Sequence, residues 1–326
     1  MEKIIDAIPV DLIRAELIPS RKLMDTNKGG NEIYVVDCFN APNTLREIGR
    51  IREIAYREAG GCSGKSMDLD EYDFMEKPYQ QLIVWDPDAQ AIIGGYRYIL
   101  GKNVVLKENG QPNVTASHLF QFSDKFIAEY LPKTMELGRS FVAPEYQSSK
   151  AGAKSLYALD NLFDGIAAIG ILYKKRIKYF FGKATIYTEY PDEARELIMC
   201  FLKKYFGKGH RLLKIRKEVK VERKTRRRYY RLFKGLDFKE GYRVLKAEVQ
   251  RRGVSIPPLV NTYMNLSPTM IFFGTGINDE FGDVYDSGLL VTFMDMYPEK
   301  RKRHSDSFLQ QGWQNIRKLL KRLQRK

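Results

Sequence analysis

Residues 133–153, KTMELGRSFVAPEYQSSKAGA, admit few folds. Met135, Leu137, Phe141 and Val142 supply the apolar positions of a strand, and Pro144, with no N–H for a ladder, ends it. Small and polar residues from Gln147 to Ala153 then lead into SLYALDNLFDGIAAIGI (155–171), a helix apolar on nearly every side that suits packing on a sheet. A strand that turns tightly into a helix presents free N–H groups at the helix start, a ready site for a phosphate. Glu136, Arg139 and Ser140 interrupt the strand with polar groups that a purely structural strand does not need.

Around this unit the chain reads as alternating strands and helices. Residues 31–39 (NEIYVVDCF) are β-rich. Thr44 is a candidate N-cap for a helix with Ile48, Ile51, Ile54 and Ala55 at helical spacing, stopped at Gly60-Gly61. A loop holding Asp68, Asp70 and Asp73 reads as too polar for core, and residues 81–100 form a hairpin about a Pro-Asp turn. After the central helix come a strand (178–187), a helix (192–205), a basic arm (211–231), a short helix opened by Pro257-Pro258, and a strand (289–296) preceded by an Asp-rich turn. This pattern divides the chain into an N-terminal arm or helix (1–30), an α/β domain (31–299) with the basic arm inserted, and a basic amphipathic helix (300–326).

The strand ELGRSFV, followed by Pro-Glu-Tyr-Gln and a small-residue turn into a helix, resembles motif A of the GNAT acyltransferase superfamily. It is most similar to the branch of ornithine and glycine lipid N-acyltransferases and, more remotely, to acyl-homoserine lactone synthases. Asp70-Glu71-Tyr72-Asp73 with Arg97, and Pro-Pro-Leu-x(3)-Tyr-Met near 257–264, carry the same likeness. The resemblance implies a mixed, mostly antiparallel central sheet flanked by helices. It implies a long acyl chain, possible 3-hydroxylation included, carried on the phosphopantetheine of acyl carrier protein or on coenzyme A, with no bound cofactor and no metal. An amino acid, glycine or ornithine, is the implied acceptor. Glu136 is then the general base, and Arg139 and Ser140 assist at the thioester. Phe141, Val142 and Ala143 offer backbone N–H groups, and Gln147, Ser148, Ser149, Lys150 and Gly152 form the phosphate turn. Asp70, Asp73 and Arg97 shape the acceptor end. Lys150 stands where the superfamily has its first turn glycine, a departure that loosens the expected grip on a pyrophosphate.

Net charge is +15, but it is concentrated: residues 211–231 and 300–326 each carry +9, leaving the remainder at −3. Such appendages suit an acidic carrier protein or an anionic membrane. Arg223-Lys224-Thr225-Arg226-Arg227-Arg228-Tyr229-Tyr230 also has the mixture of nucleic-acid surfaces, though no nucleic-acid module surrounds it. The competing readings are therefore an acetyl-coenzyme A N-acetyltransferase and a non-enzymatic RNA- or membrane-binding protein. Three scattered cysteines, Cys38, Cys62 and Cys200, indicate neither a disulfide framework nor a zinc site. The first twenty residues lack a signal peptide's apolar run, so a cytoplasmic protein, peripheral at the membrane, is expected. In the terminal segment Leu309, Trp313, Ile316, Leu320 and Leu323 share one helical side opposite Lys and Arg, the layout of interfacial helices.

Overall fold

The computed structural model describes residues 1–147, 152–208 and 211–323, with the backbone alone for 152–156, 305, 307 and 313–323. Its main sheet has eight strands: β1 (Lys22–Asp25), β2 (Glu32–Val36), β3 (Gln80–Asp86), β4 (Ala91–Leu100), β6 (Thr134–Val142), β7 (Tyr179–Ile186), β9 (Ile271–Asn278) and β10 (Val284–Thr292). Their order is β1-β2-β3-β4-β6-β7-β10-β9. Only the β6–β7 pair is parallel, so the sheet is mixed and mostly antiparallel, as expected. Two short strands, β5 (Phe120–Phe122) and β8 (Leu213–Ile215), pair separately.

Alternation along the strands sorts side chains onto two faces. On one, Leu82, Tyr96, Leu137, Phe180 and Ala184 pack against Leu162, Ile166 and Ile169 of α3 (Gly152–Leu172). On the other, Ile83, Trp85 and Phe141 lie under Ile48 and Ile51 of α2 (Pro42–Glu58). Further along that second face Tyr79, Ile99 and Phe181 meet Leu119, Phe120 and Phe126. Each large side chain fully buried in these clusters contributes about 1.5–3 kcal/mol. Between the last two clusters the sheet carries charge instead.

Several boundaries differ from the sequence reading for identifiable reasons. Helix α2 begins before Thr44, with Ala41 at the cap position and no side-chain cap of its own. The carboxylate of Glu16, at the end of α1 (Val10–Glu16), fills that role, accepting from the N–H groups of Asn43 at 3.0 Å and Thr44 at 2.7 Å. The first thirty residues thus supply a helix and the strand β1 as well. Strand β9 was hidden by Gly274 and Gly276, which weaken any strand pattern. Those glycines admit Ile215 of β8, whose side chain would lie 2.6 Å and 2.8 Å from their Cβ atoms. The basic arm divides into β8, an extended bridge to β9, and the helix α5 (Arg223–Leu232). It packs beside α4 (Asp192–Phe206) and is followed by α6 (Phe238–Gln250), which periodicity had not singled out, and α7 (Pro258–Met264).

Helix α8 (Pro298–Leu323) lies along α3. His304 Nδ1 is 2.7 Å from Asp164 Oδ1, and Arg303 pairs with Asp160. Gln311 exchanges two 2.9 Å hydrogen bonds with the backbone of Asp25 in β1. In the expected apolar stripe Leu309 is 45 % exposed, and the side chains of Trp313, Ile316, Leu320 and Leu323 lie outside the described residues.

Candidate active site

Strands β6 and β7 pair only from Thr134–Tyr179 to Leu137–Gly182. Beyond that point β6 continues along β4 and β7 along β10, so a cleft opens at Gly138 and Lys183. A Cβ on Gly138 would meet nothing nearer than Thr115 Oγ1 at 3.8 Å, so this wall faces space.

Glu136 sits at the closed end of the cleft, 5 % exposed. Its Oε1 accepts from Thr115 Oγ1 at 3.0 Å and Ala116 N–H at 3.1 Å, and its Oε2 accepts from Tyr79 Oη at 2.5 Å. Three donors hold the carboxylate in one orientation and leave one lone pair on Oε2 unclaimed. Burial raises its pKa, against the pull of these donors and of the Lys183 ammonium. A carboxylate so placed is a base of increased strength, ionised only above a raised pKa.

Strict alternation would put Arg139 on the face opposite Glu136. A β-bulge prevents this: Gly95 faces Phe141 and Arg97 faces Gly138, leaving Tyr96 alone against Arg139 and Ser140. Arg139 takes φ 49°, a conformation costing a non-glycine residue about 1–2 kcal/mol. The extra residue returns Arg139 to the Glu136 face, where it lies 3.0 Å from Asp68, 3.6 Å from Asp70 and over the ring of Phe281.

Arg97 lies at the centre of this charged region. Its guanidinium is 2 % exposed and donates to Asp70 at 2.6 and 2.8 Å and to Asp73 at 3.0 Å. Gln81 joins Asp73 at 2.9 Å and also accepts from Arg52, which is 0 % exposed and has two nitrogens without a protein partner. The acidic loop is therefore not a solvated one: Asp68 and Asp73 are 2 % and 0 % exposed, tolerated because three arginines balance three aspartates. Burial would raise Asp70, but Arg97, then Arg139 and Arg52, outweigh it and hold the carboxyl at about 2. Because 2 is below the ordinary 3.8, Asp70 stabilises the fold fully above pH 4 and loses that contribution as pH falls toward 2. Asp70→Asn should lower stability at pH 7 and flatten its decline between pH 4 and 2, measured by urea midpoints across that range.

The remaining expected residues are placed unevenly. Ser140 faces the other side of the sheet, beside the hydroxyl of Tyr96, whose pKa burial pushes up to about 12. Tyr263 of α7, the tyrosine of the Pro-Pro-Leu-x(3)-Tyr-Met motif, adjoins Tyr96, and a Cβ on Gly182 would lie 3.5 Å from its hydroxyl. Phe141 is core, with the Arg52 guanidinium 5.7 Å from its ring. Val142 accepts through its carbonyl from Gln147 Nε2 at 2.7 Å. Ala143 was expected to offer a free N–H, but that group donates to Ile93 O at 2.8 Å within the β4 ladder and is not available to a substrate. Gly152 is the first residue of α3; Ser148, Ser149 and Lys150 lie outside the described residues. Arg52, Tyr79, Thr115 and Lys183 belong to the site yet were not anticipated. Arg52 is one of several arginines on α2, and the loop that brings Thr115 to Glu136 has no periodic signature.

Residues 51–156 match the family described as "Acetyltransferase (GNAT) domain". The chain is 50% identical over 95% of its length to a "Glycine N(alpha)-acyltransferase" of Phocaeicola vulgatus, covering 95% of that protein. It is 51% identical, again over 95% of its length, to a protein of the same name from Bacteroides thetaiotaomicron, covering 91% of it. Among solved structures, a CoA-dependent acyl-homoserine lactone synthase with SAM and isopentyl-CoA matches 52% of this chain and 72% of that one, at 14% identity and a TM-score of 0.27. With half of all positions shared along almost the whole chain, this acyltransferase belongs to the glycine N(alpha)-acyltransferase family.

Proposed function

We propose that the enzyme moves a long fatty acyl chain from the phosphopantetheine of acyl carrier protein to the α-amino group of glycine, in aminolipid synthesis. Glu136, buried, fixed by three donors and left with one lone pair at the cleft, carries this reading. The relatives' name supports glycine as acceptor. The amine attacks the thioester carbonyl while Glu136 takes its proton, directly or through a water. The C–S bond then breaks, and the adjoining hydroxyls of Ser140, Tyr96 and Tyr263 are candidates to protonate the thiolate. Arg139 and Arg97 fix the carboxylates of Asp68, Asp70 and Asp73, and Asp70, 23% exposed, is the member of that cluster within reach of an acceptor ammonium.

Beside Leu137, on the sheet face opposite Glu136, lies a small apolar cavity lined by Phe163, Ile166, Phe180, Tyr263 and Val291. The basic stretch 211–231 offers the complement of a strongly acidic carrier protein. The discriminating experiment incubates the enzyme with palmitoyl carrier protein, palmitoyl-CoA and acetyl-CoA against a pool of amino acids and identifies products by mass. N-palmitoylglycine from the carrier supports the proposal, acetylated product alone refutes the long-chain donor, and salt-sensitive binding to RNA in preference to carrier protein would refute both.

We also propose that the end of α8 docks the enzyme on anionic membranes. No helix among the described residues is long and apolar enough to cross a membrane. Since His304 and Gln311 bind the body, the interfacial segment is the one beyond Gly312. Truncation after Gly312 should abolish sedimentation with anionic liposomes and leave activity on soluble substrates, and salt should weaken sedimentation of the intact chain. Unchanged sedimentation after truncation would show the segment to be an ordinary packing helix.

A further inference from the structure

Holding a glycine requires a cation for its carboxylate as well as a base for its amine. The three arginines of the charged cluster are committed. Arg97 is spent on Asp70 and Asp73, Arg139 on Asp68 and Asp70, and Arg52 is sealed from solvent. A fourth cation stands on the other wall. Lys183 follows Gly182, the last β7 residue paired with β6, so it projects where the strands part. It alternates with Phe181, which lies directly across from Glu136, and therefore shares the Glu136 face.

The surroundings of Lys183 are assembled rather than incidental. Asp286 of β10 lies 3.0 Å from its ammonium. Asp286 is itself fixed by Thr185 Oγ1 at 2.6 Å and Asn278 Nδ2 at 2.8 Å, and Asn278 Oδ1 is 3.0 Å from His118 Nε2. Opposite Lys183, β10 has Gly288, and the ring of Phe120 occupies the place of a side chain there. One oxygen of Asp286 takes one of the three N–H groups of the ammonium, and the Lys183 side chain keeps 15% exposure. Lys183 also lies close enough to Glu136 to act on its charge.

We infer that Lys183 binds the carboxylate of the acceptor amino acid, with Asp286, Thr185 and Asn278 holding the ammonium in place. This rests on the proposal of an amino-acid acceptor. In an α-amino acid two bonds separate the nitrogen from the carboxylate carbon. A carboxylate on Lys183 therefore keeps the amine within two bonds of it, on the sheet face that Glu136 shares. The specificity follows: the acceptor must carry a carboxylate next to its amine.

The test compares glycine with glycinamide, an amine of the same size without the charge, by thiol release at saturating acyl donor. The wild type should favour glycine by about 10- to 100-fold in kcat/KM, the discrimination that one charged hydrogen-bonding partner supplies. Lys183→Met should erase that preference through the glycine KM while leaving the donor KM unchanged, and Lys183→Arg should restore part of it. Asp286→Asn breaks the same ion pair but keeps the cation, so it should lose stability and still prefer glycine. Equal use of glycine and glycinamide by the wild type would overturn the inference and leave glycine acylation standing. So would Lys183→Met and Asp286→Asn lowering both acceptors alike, the mark of a merely structural pair. Acylation of neither acceptor would overturn the proposed function and this inference with it.

Discussion

Glu136→Gln should fold and bind acyl donor normally while losing acyl transfer by on the order of 10²-fold or more, the usual effect of removing a general base. The amide retains an oxygen for Thr115 and Ala116 but has no basic lone pair to offer at the position of Oε2. Because burial raises the pKa of Glu136, and only its ionised form accepts a proton, wild-type kcat/KM should fall as pH drops through that raised value. In Glu136→Gln the limb should vanish. Single-turnover rates across pH check both statements, and a variant with near-normal rates would remove Glu136 from the mechanism.

Arg97→Met is expected to have the largest effect on stability. It takes the cation from between Asp70 and Asp73, the second of which is 0% exposed, and leaves buried charge uncompensated. Breaking such a pair from one side costs about 3–5 kcal/mol, a large share of what holds a domain folded. Urea midpoints should move accordingly. Arg97→Lys should recover only part, since an ammonium cannot reproduce the fork that meets both oxygens of Asp70. A midpoint within experimental scatter of wild type would mean that water solvates the cluster.

The sequence declared the sheet and the central strand–turn–helix because their signals are local. Apolar runs about a Pro-Asp turn mark β3 and β4, the apolar positions of 135–142 mark β6, Pro144 marks an end, and the run from Ser155 marks a buried helix. Glu136 and Arg139 were legible as polar residues out of place in a strand. Their common face was not, because a bulge is a mismatch between two strands and neither strand alone contains it. The same limit hid Arg52, Thr115 and Lys183, whose roles depend on which elements the topology brings beside Glu136. Thr44 misled as a cap since the carboxylate serving that helix comes from α1. Asp68 and Asp73 misled by composition: acidic residues in a row look solvated until their arginines arrive from other strands.

The clasp between Gln311 and Asp25 has a consequence for the life of the protein at high concentration. An open sheet ends in strands whose unpaired N–H and C=O groups invite a neighbouring chain. Gln311 occupies both groups of Asp25 on one margin of the sheet. On the other margin, Val219 N–H donates to Thr275 O at 2.9 Å, and Ile277 N–H reaches Lys217 O at 3.4 Å. Each margin is thus blunted by a segment from the basic, late part of the chain, with like charges that repel a second copy. The positive appendages guard the sheet against ribbon-like self-association, whatever else they bind.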